Sequence, residues 1–380
     1  MLSFKEKLAK NYINARGWRT NQKYVIIESD DWGAIRMPSL EVYNELVKKN
    51  IAVDKLHIDK YDALETEEDL KALFDTLQRF TDQKGNAAVL TAYHVVANPN
   101  FEKIEASGRK EYHYETILET YKRFPHTQQV PNLIKEGMDK GIYVPQSHGR
   151  EHVHVKRYME AINSDSEKEK IAFQYNAIIS SKSAICDKPF KKNYFAGQDY
   201  SDETEFSDIE KITDEGLDIF ENIFGFKSLS FTPQGSFWGD HILKTIVDKG
   251  VTLIGGRQFH PVPNEKHKFI NNKIWGEKNK LGQIHWRRNC MFEPSRNQNF
   301  AWVDKCMAEM EIAFRWGKPA VISAHRENFI GSIFEENREE SLDKLSTLLR
   351  RVQKKWPDVQ FISTQQLAEM MDFSLNKKKY

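Results

Sequence analysis

Cysteine is scarce in this chain. Its three thiols, Cys186, Cys290 and Cys306, are odd in number and far apart, with no C-x-x-C pair, so neither a disulfide framework nor a cysteine-held zinc is indicated. No apolar run is long enough to span a bilayer. Nor does one sign of charge dominate: 56 Lys and Arg against 55 Asp and Glu leave a formal net charge of +1. That removes any whole-chain field for a nucleic acid or an anionic membrane, and a partner must be recognised locally. No Gly-x-Gly-x-x-Gly or P-loop follows any strand-like segment, so a nucleotide phosphate has no cradle. The stretch MLSFKEKLAKNYINARGW is charged and amphipathic, without the continuous apolar segment of a secretory signal; a cytoplasmic protein is the expectation.

What the chain does have is core-forming material, 39% hydrophobic and 12% aromatic over 380 residues. That is enough for one large α/β domain or two ordinary ones. Short apolar runs alternate with helical patterns. A strand over Tyr24–Ile27 is followed by a helix that Ser39 can cap, with Leu40, Tyr43, Leu46 and Val47 on one side. Thr66 and Asp69 make a capping signal before the stripe Leu70, Leu73, Phe74, Leu77 and Phe80. Further strands are expected at Ala87–Tyr93, Ile142–Val144, Ser228–Phe231, Val251–Ile254, Ala320–Ser323 and Val359–Ile362, each preceded by a helix or a glycine break. Residues 94–129 are polar and read as a long irregular loop. Seven strands with helices between them imply a parallel sheet, open or closed into a barrel.

The chemistry clusters at strand ends. Strand one runs into Asp30 and Asp31; strand three runs into Ser147-His148-Gly149-Arg150-Glu151-His152; a Pro-Gly turn follows strand four; Ala324-His325-Arg326 follows strand six. Parallel strands open onto the ligand face at their carboxyl ends. Two histidines four residues apart share one face of a helical turn. With one carboxylate they form a three-ligand set with room for water, the donor composition of a hydrolytic zinc centre, and the second aspartate is left free to act as a base.

Taken together, Asp30-Asp31-Trp32-Gly33, His148 with His152, Phe231-Thr232-Pro233-Gln234-Gly235 and the strand VISAH ending in His325 resemble, in order, the motifs of the polysaccharide deacetylases of carbohydrate esterase family four. The resemblance runs from about Lys23 to Met371. It implies a distorted (β/α)7 barrel of the glycoside hydrolase/deacetylase type spanning 23–375, after a helical extension over 1–22, with insertions near 94–129, 155–215 and 256–300. It also implies an acetylated sugar or glycan as substrate, and one divalent metal, Zn²⁺ or else Co²⁺, Ni²⁺ or Mn²⁺. On this pattern Asp31, His148 and His152 hold the metal, Asp30 is the general base and His325 the general acid. The backbone N–H of Gln234 then meets the oxyanion, while Trp32, Gly235, Trp238 and Arg150 contact the sugar.

The chain departs from that pattern in two places. Phe231 stands where the family has an arginine that orients the base, leaving Arg150, Arg257, Arg287 or Arg288 to reach Asp30. The partner of His325 has no clear motif, and Glu293 is the candidate. Two other readings stay open: a different metal-dependent hydrolase of C–N or glycosidic bonds on the same barrel, or a glycan-binding protein without catalysis.

Overall fold

Strands that are apolar along their whole length must be covered on both faces, which parallel sheets achieve with helices on one side and a filled interior on the other. The computed structural model describes residues 2–180, 192–236, 239–255 and 274–377. Its main sheet contains nine strands, all parallel: β1 (Tyr24–Trp32), β2 (Leu90–Val95), β3 (Tyr143–Gly149), β4 (Ser230–Phe231), β5 (Leu253–Ile254), β6 (Ile284–His285), β7 (Cys290–Met291), β8 (Ala320–His325) and β9 (Gln360–Phe361). The spatial order is β6-β5-β4-β3-β2-β1-β8-β7, and β9 pairs with the first residues of β1. All seven expected strands are present. The two additional ones, β6 and β7, have two residues each, too few for a periodic signal.

The sheet has to curl. Its two edges, β6 and β7, are separated in the chain only by residues 286–289, a span of at most about 18 Å. Eight flat strands would put those edges more than about 30 Å apart. Among the described residues no ladder joins β6 to β7, so the architecture is a distorted (β/α) barrel, open at one seam.

The strand period sorts the core into two shells. Val25, Ile27, Leu90, Ala92, Ala320 and Ile322 pack outward under helical residues such as Leu73 and Leu345. Ile26, Tyr93 and Val321 point inward, where Trp275 and Trp286 fill the barrel. Each buried Val, Leu or Ile among them contributes about 1.5–3 kcal/mol. Along the inner face of β1 the sequence then turns polar toward the mouth, through Glu28 to Asp30.

Both expected caps form. Ser39 accepts the Val42 N–H, and Thr66 with Asp69 closes a capping box. Residues 94–129 are a correction to the loop expectation. They form an antiparallel pair, Ala97–Pro99 with Tyr114–Thr116, and helices Phe101–Ala106 and Ile117–Arg123. Their polar residues are local devices: Asn100 and Thr116 cap the two helices. Helices of six and seven residues are too short to show periodicity in the sequence. Among the described residues no helix is long and apolar enough to cross a membrane.

Candidate metal centre

Consecutive residues in a strand point to opposite faces, yet Asp30 and Asp31 serve the same mouth. The ladder between β1 and β2 slips between Ser29 and Trp32, and Asp31 takes φ 76°, a left-handed conformation uncommon for a residue with a Cβ. Such a bulge re-aims a side chain. Gly33 completes the turn at φ +81°, where an added Cβ would lie 2.8 Å from the Val95 carbonyl oxygen.

Asp31 Oδ1 lies 3.3 Å from His148 Nε2 and 2.8 Å from His152 Nε2. The three ligand atoms fall within 4.8 Å of one another. The two histidines do not share a helix, however. His148 is on β3, and the chain bends at Gly149, φ +108°, before reaching His152. The His148 Nδ1–H donates to the Thr232 carbonyl at 2.6 Å, which leaves Nε2 as the ring nitrogen turned toward Asp31. Burial drives the His152 pKa down to about 4, so this ring is neutral, as a ligand must be. Arg36 lies 3.2 Å from His152 Nδ1 and has only protons to give. Ligation through Nε2 therefore requires the His152 proton to leave that nitrogen and Arg36 to shift.

Asp30 sits directly opposite His325 in the β1–β8 register. Its carboxylate is gripped bidentately by Arg288, at 2.5 and 2.6 Å. Burial opposes its charge, but Arg288 outweighs that and lowers its pKa. Arg288 also donates through Nε to Glu28, which is fixed in turn by Trp286 Nε1 and the Thr364 hydroxyl. The grip on Asp30 thus comes from the segment between β6 and β7 and not from the position of Phe231. Phe231 itself is buried core.

His325 Nδ1 is 2.6 Å from Glu293 Oε1, and Glu293 is held by Asn328 Nδ2 at 2.8 Å. Burial works against the imidazolium, yet Glu293, Asp31 and Asp30 outweigh it and raise its pKa to about 10. A cation beside Asp31 would draw that value back. Changing Glu293 to Gln removes the main raising influence. The expected outcome is an alkaline limb of kcat at least about one pH unit lower, read from a pH–rate profile; an unmoved limb would mean that Glu293 does not set the titration of His325.

The remaining sequence candidates divide. Trp32 is fully buried, donates to Ser29 Oγ at 3.0 Å and packs against Phe329 and Tyr143. It is a core residue rather than a sugar platform, because the bulge turns it under the helical layer. The Gln234 N–H is occupied, donating to Gln198 Oε1 at 3.0 Å; its side chain bonds the His148 and Glu151 carbonyls and so braces the ligand loop. Gly235 provides the adjacent turn at φ 60°. Arg150 is committed to Glu151 and Glu215 rather than to the triad. Trp238 and Arg257 lie outside the described residues. Sequence reasoning missed Arg36, Gln198 and Glu28, which carry no motif.

No family model and no curated protein matches this sequence. Solved structures do resemble it in backbone. The peptidoglycan deacetylase PdaC from Bacillus subtilis is 11% identical, with 94% of this chain and 96% of that one aligned at a TM-score of 0.41. The family 4 carbohydrate esterase from Streptomyces lividans in complex with acetate is 10% identical, with 89% and 90% aligned at 0.35. Puue allantoinase is 12% identical, with 93% and 91% aligned at 0.44. The chemistry is carried by the side chains described above.

Proposed function

We propose that the protein is a metal-dependent hydrolase that removes an acetyl group from a sugar or glycan. The observation that carries this is a pair of groups pushed apart in acidity at one mouth. Asp30 is held ionised by Arg288, and His325 is held protonated by Glu293, with three potential metal ligands beside them. Environments that separate two titratable groups in this way define a base and an acid. The choice of an acetyl group follows the motif order of the carbohydrate esterase family that the sequence resembles.

Asp31, His148 and His152 would hold the metal, and we assign zinc to this donor set. A divalent ion there lowers the pKa of a bound water toward neutrality and polarises a carbonyl. Asp30 takes a proton from the attacking water. His325 gives one to the nitrogen or oxygen that leaves the acetyl carbon, so the products are acetate and the free amine or alcohol. Gln234 can offer its N–H to the developing oxyanion once the Gln198 amide oxygen gives way. Arg288 beside Asp30 and Glu293 beside His325, both candidates in the sequence, support this reading over a purely glycan-binding protein.

Elemental analysis of the purified protein should find about one equivalent of a divalent metal, absent from His148→Ala. The metal-loaded protein should release acetate from an acetylated oligosaccharide, and a chelator should stop it. Metal-free protein after incubation with zinc, or release that ignores the chelator, would contradict the proposal.

A further inference from the structure

The three most exposed large apolar side chains stand on one helix. In Phe4–Asn14, the residues Phe4, Leu8 and Tyr12 are 82, 62 and 68% exposed, whereas every other large apolar side chain among the described residues is at 43% or less. Their spacing of four puts all three on one face. A surface helix ordinarily turns such a stripe inward; this one does the reverse.

What holds the helix to the body is polar. Lys10 Nζ donates to the Asn289 carbonyl at 2.7 Å and pairs with Glu309 at 3.0 Å. Asn14, fully buried, accepts from Asn289 Nδ2 at 2.9 Å, and Trp316 Nε1 donates to Asn11 Oδ1 at 2.8 Å. Ser3 and Glu6 close a capping box, which satisfies the first turn locally. The helix is thus fixed with its apolar stripe in solvent, and turning it over would break these bonds.

The charge around the stripe says what covers it. Residues 1–23 hold six basic side chains and one acid, Glu6, although the whole chain nets only +1. At about 100° per residue, Lys5 falls on one side of the stripe and Lys7 on the other, and both are exposed. Among the described residues neither forms an ion pair, unlike Lys10 with Glu309. A second copy on this face would set these lysines against their own counterparts. An anionic bilayer supplies both halves instead: acyl chains for Phe4 and Leu8, headgroup depth for the ring and hydroxyl of Tyr12, and phosphates for the lysines.

We propose that helix Phe4–Asn14 seats the protein on an anionic lipid surface, with Phe4, Leu8 and Tyr12 at the acyl boundary and Lys5 and Lys7 on the headgroup phosphates. The helix packs against helix Trp302–Arg315, and none of its residues belongs to the metal centre. Lipid docking therefore does not rest on the hydrolytic reading.

The test is co-sedimentation of the metal-loaded full chain with vesicles of phosphatidylcholine, alone or mixed in equal parts with phosphatidylglycerol. Binding to the mixed vesicles is expected to be at least about tenfold tighter than to the neutral ones, and to weaken as salt rises. Phe4→Ser with Leu8→Ser, and separately Lys5→Glu with Lys7→Glu, should each weaken it at least about tenfold, with thermal melts unchanged. A polarity-sensitive fluorophore on Leu8→Cys, in a Cys186→Ser background that leaves only the buried Cys290 and Cys306, should shift to the blue when mixed vesicles are added. That shift decides the matter should a serine or glutamate variant misfold. Absence of binding to mixed vesicles, equal binding to both compositions, or binding indifferent to both pairs of substitutions would overturn the proposal. So would a wild-type dimer in sedimentation velocity that Phe4→Ser with Leu8→Ser disperses, since the face would then belong to a second copy. Vesicle binding without acetate release from an acetylated oligosaccharide would sink only the hydrolytic reading; acetate release without vesicle binding would sink only this one.

Discussion

Replacing Asp30 by asparagine is expected to lower turnover by roughly 10²–10⁴-fold while leaving the metal in place. The substitution keeps the shape of the side chain while removing its charge and basicity, and it leaves one acceptor instead of two for Arg288. Arg288 retains Glu28 as a partner through Nε, so no cation is abandoned in the barrel. Asp30 is also outside the set whose atoms converge for a metal. Two readouts from one sample check this: acetate release from an acetylated chitooligosaccharide, and metal content. Wild-type turnover would remove Asp30 from its role as base. Loss of metal together with activity would make it a ligand instead.

The parts of this site that were legible in the sequence are those whose chemistry is local. Asp30, Asp31, His148 and His325 lie at the ends of strands and His152 one bend beyond, and a run of apolar residues stopping at an acid or an imidazole can be read from one segment alone. The layered core was legible for the same reason, since Val25, Ile26 and Ile27 alternate between shells by simple period-two geometry. What was not legible came through long-range closure. Arg288 lies 258 residues beyond Asp30, on the four-residue crossing between two strands too short to announce themselves. Its choice over Arg150 is made by the curl of the sheet, while Arg257 lies outside the described residues. Trp32 misled because an aromatic after two aspartates looks accessible until the bulge at Asp31 is known. The histidine pair was read on a helix because its spacing fits one; a strand end followed by a bend at Gly149 delivers the same convergence.

Changing Arg288 to methionine should cost about 3–5 kcal/mol of stability, the usual consequence of stranding buried charge by removing one partner. The guanidinium closes two ion pairs at once, to Glu28 at 2.5 Å and to Asp30 at 2.5 Å, with its side chain only 15% exposed. Glu28 is fully buried, and desolvation already raises its pKa even with Arg288 beside it. Without the arginine Glu28 is pushed further up by burial, and Asp30 rises too, with the charge of His325 still opposing burial there. The sign of the pH dependence follows. In the wild type, Asp30 has a folded pKa below its unfolded value, so its contribution is present at neutral pH and is lost as pH falls through the folded value. In the variant the folded pKa of Glu28 lies further above its unfolded value, and stability falls as pH rises between them. Thermal melts at pH 5 and pH 8 should therefore show the variant losing far more, relative to wild type, at the higher pH. The acidic limb of kcat/KM should move upward with the Asp30 carboxyl. Arg288→Lys should recover part of the stability through a single point charge, but not the bidentate grip on Asp30. A methionine variant with a wild-type melt and an unmoved acidic limb would mean that another cation serves Asp30, and the compensation for Phe231 would have to be sought elsewhere in the barrel.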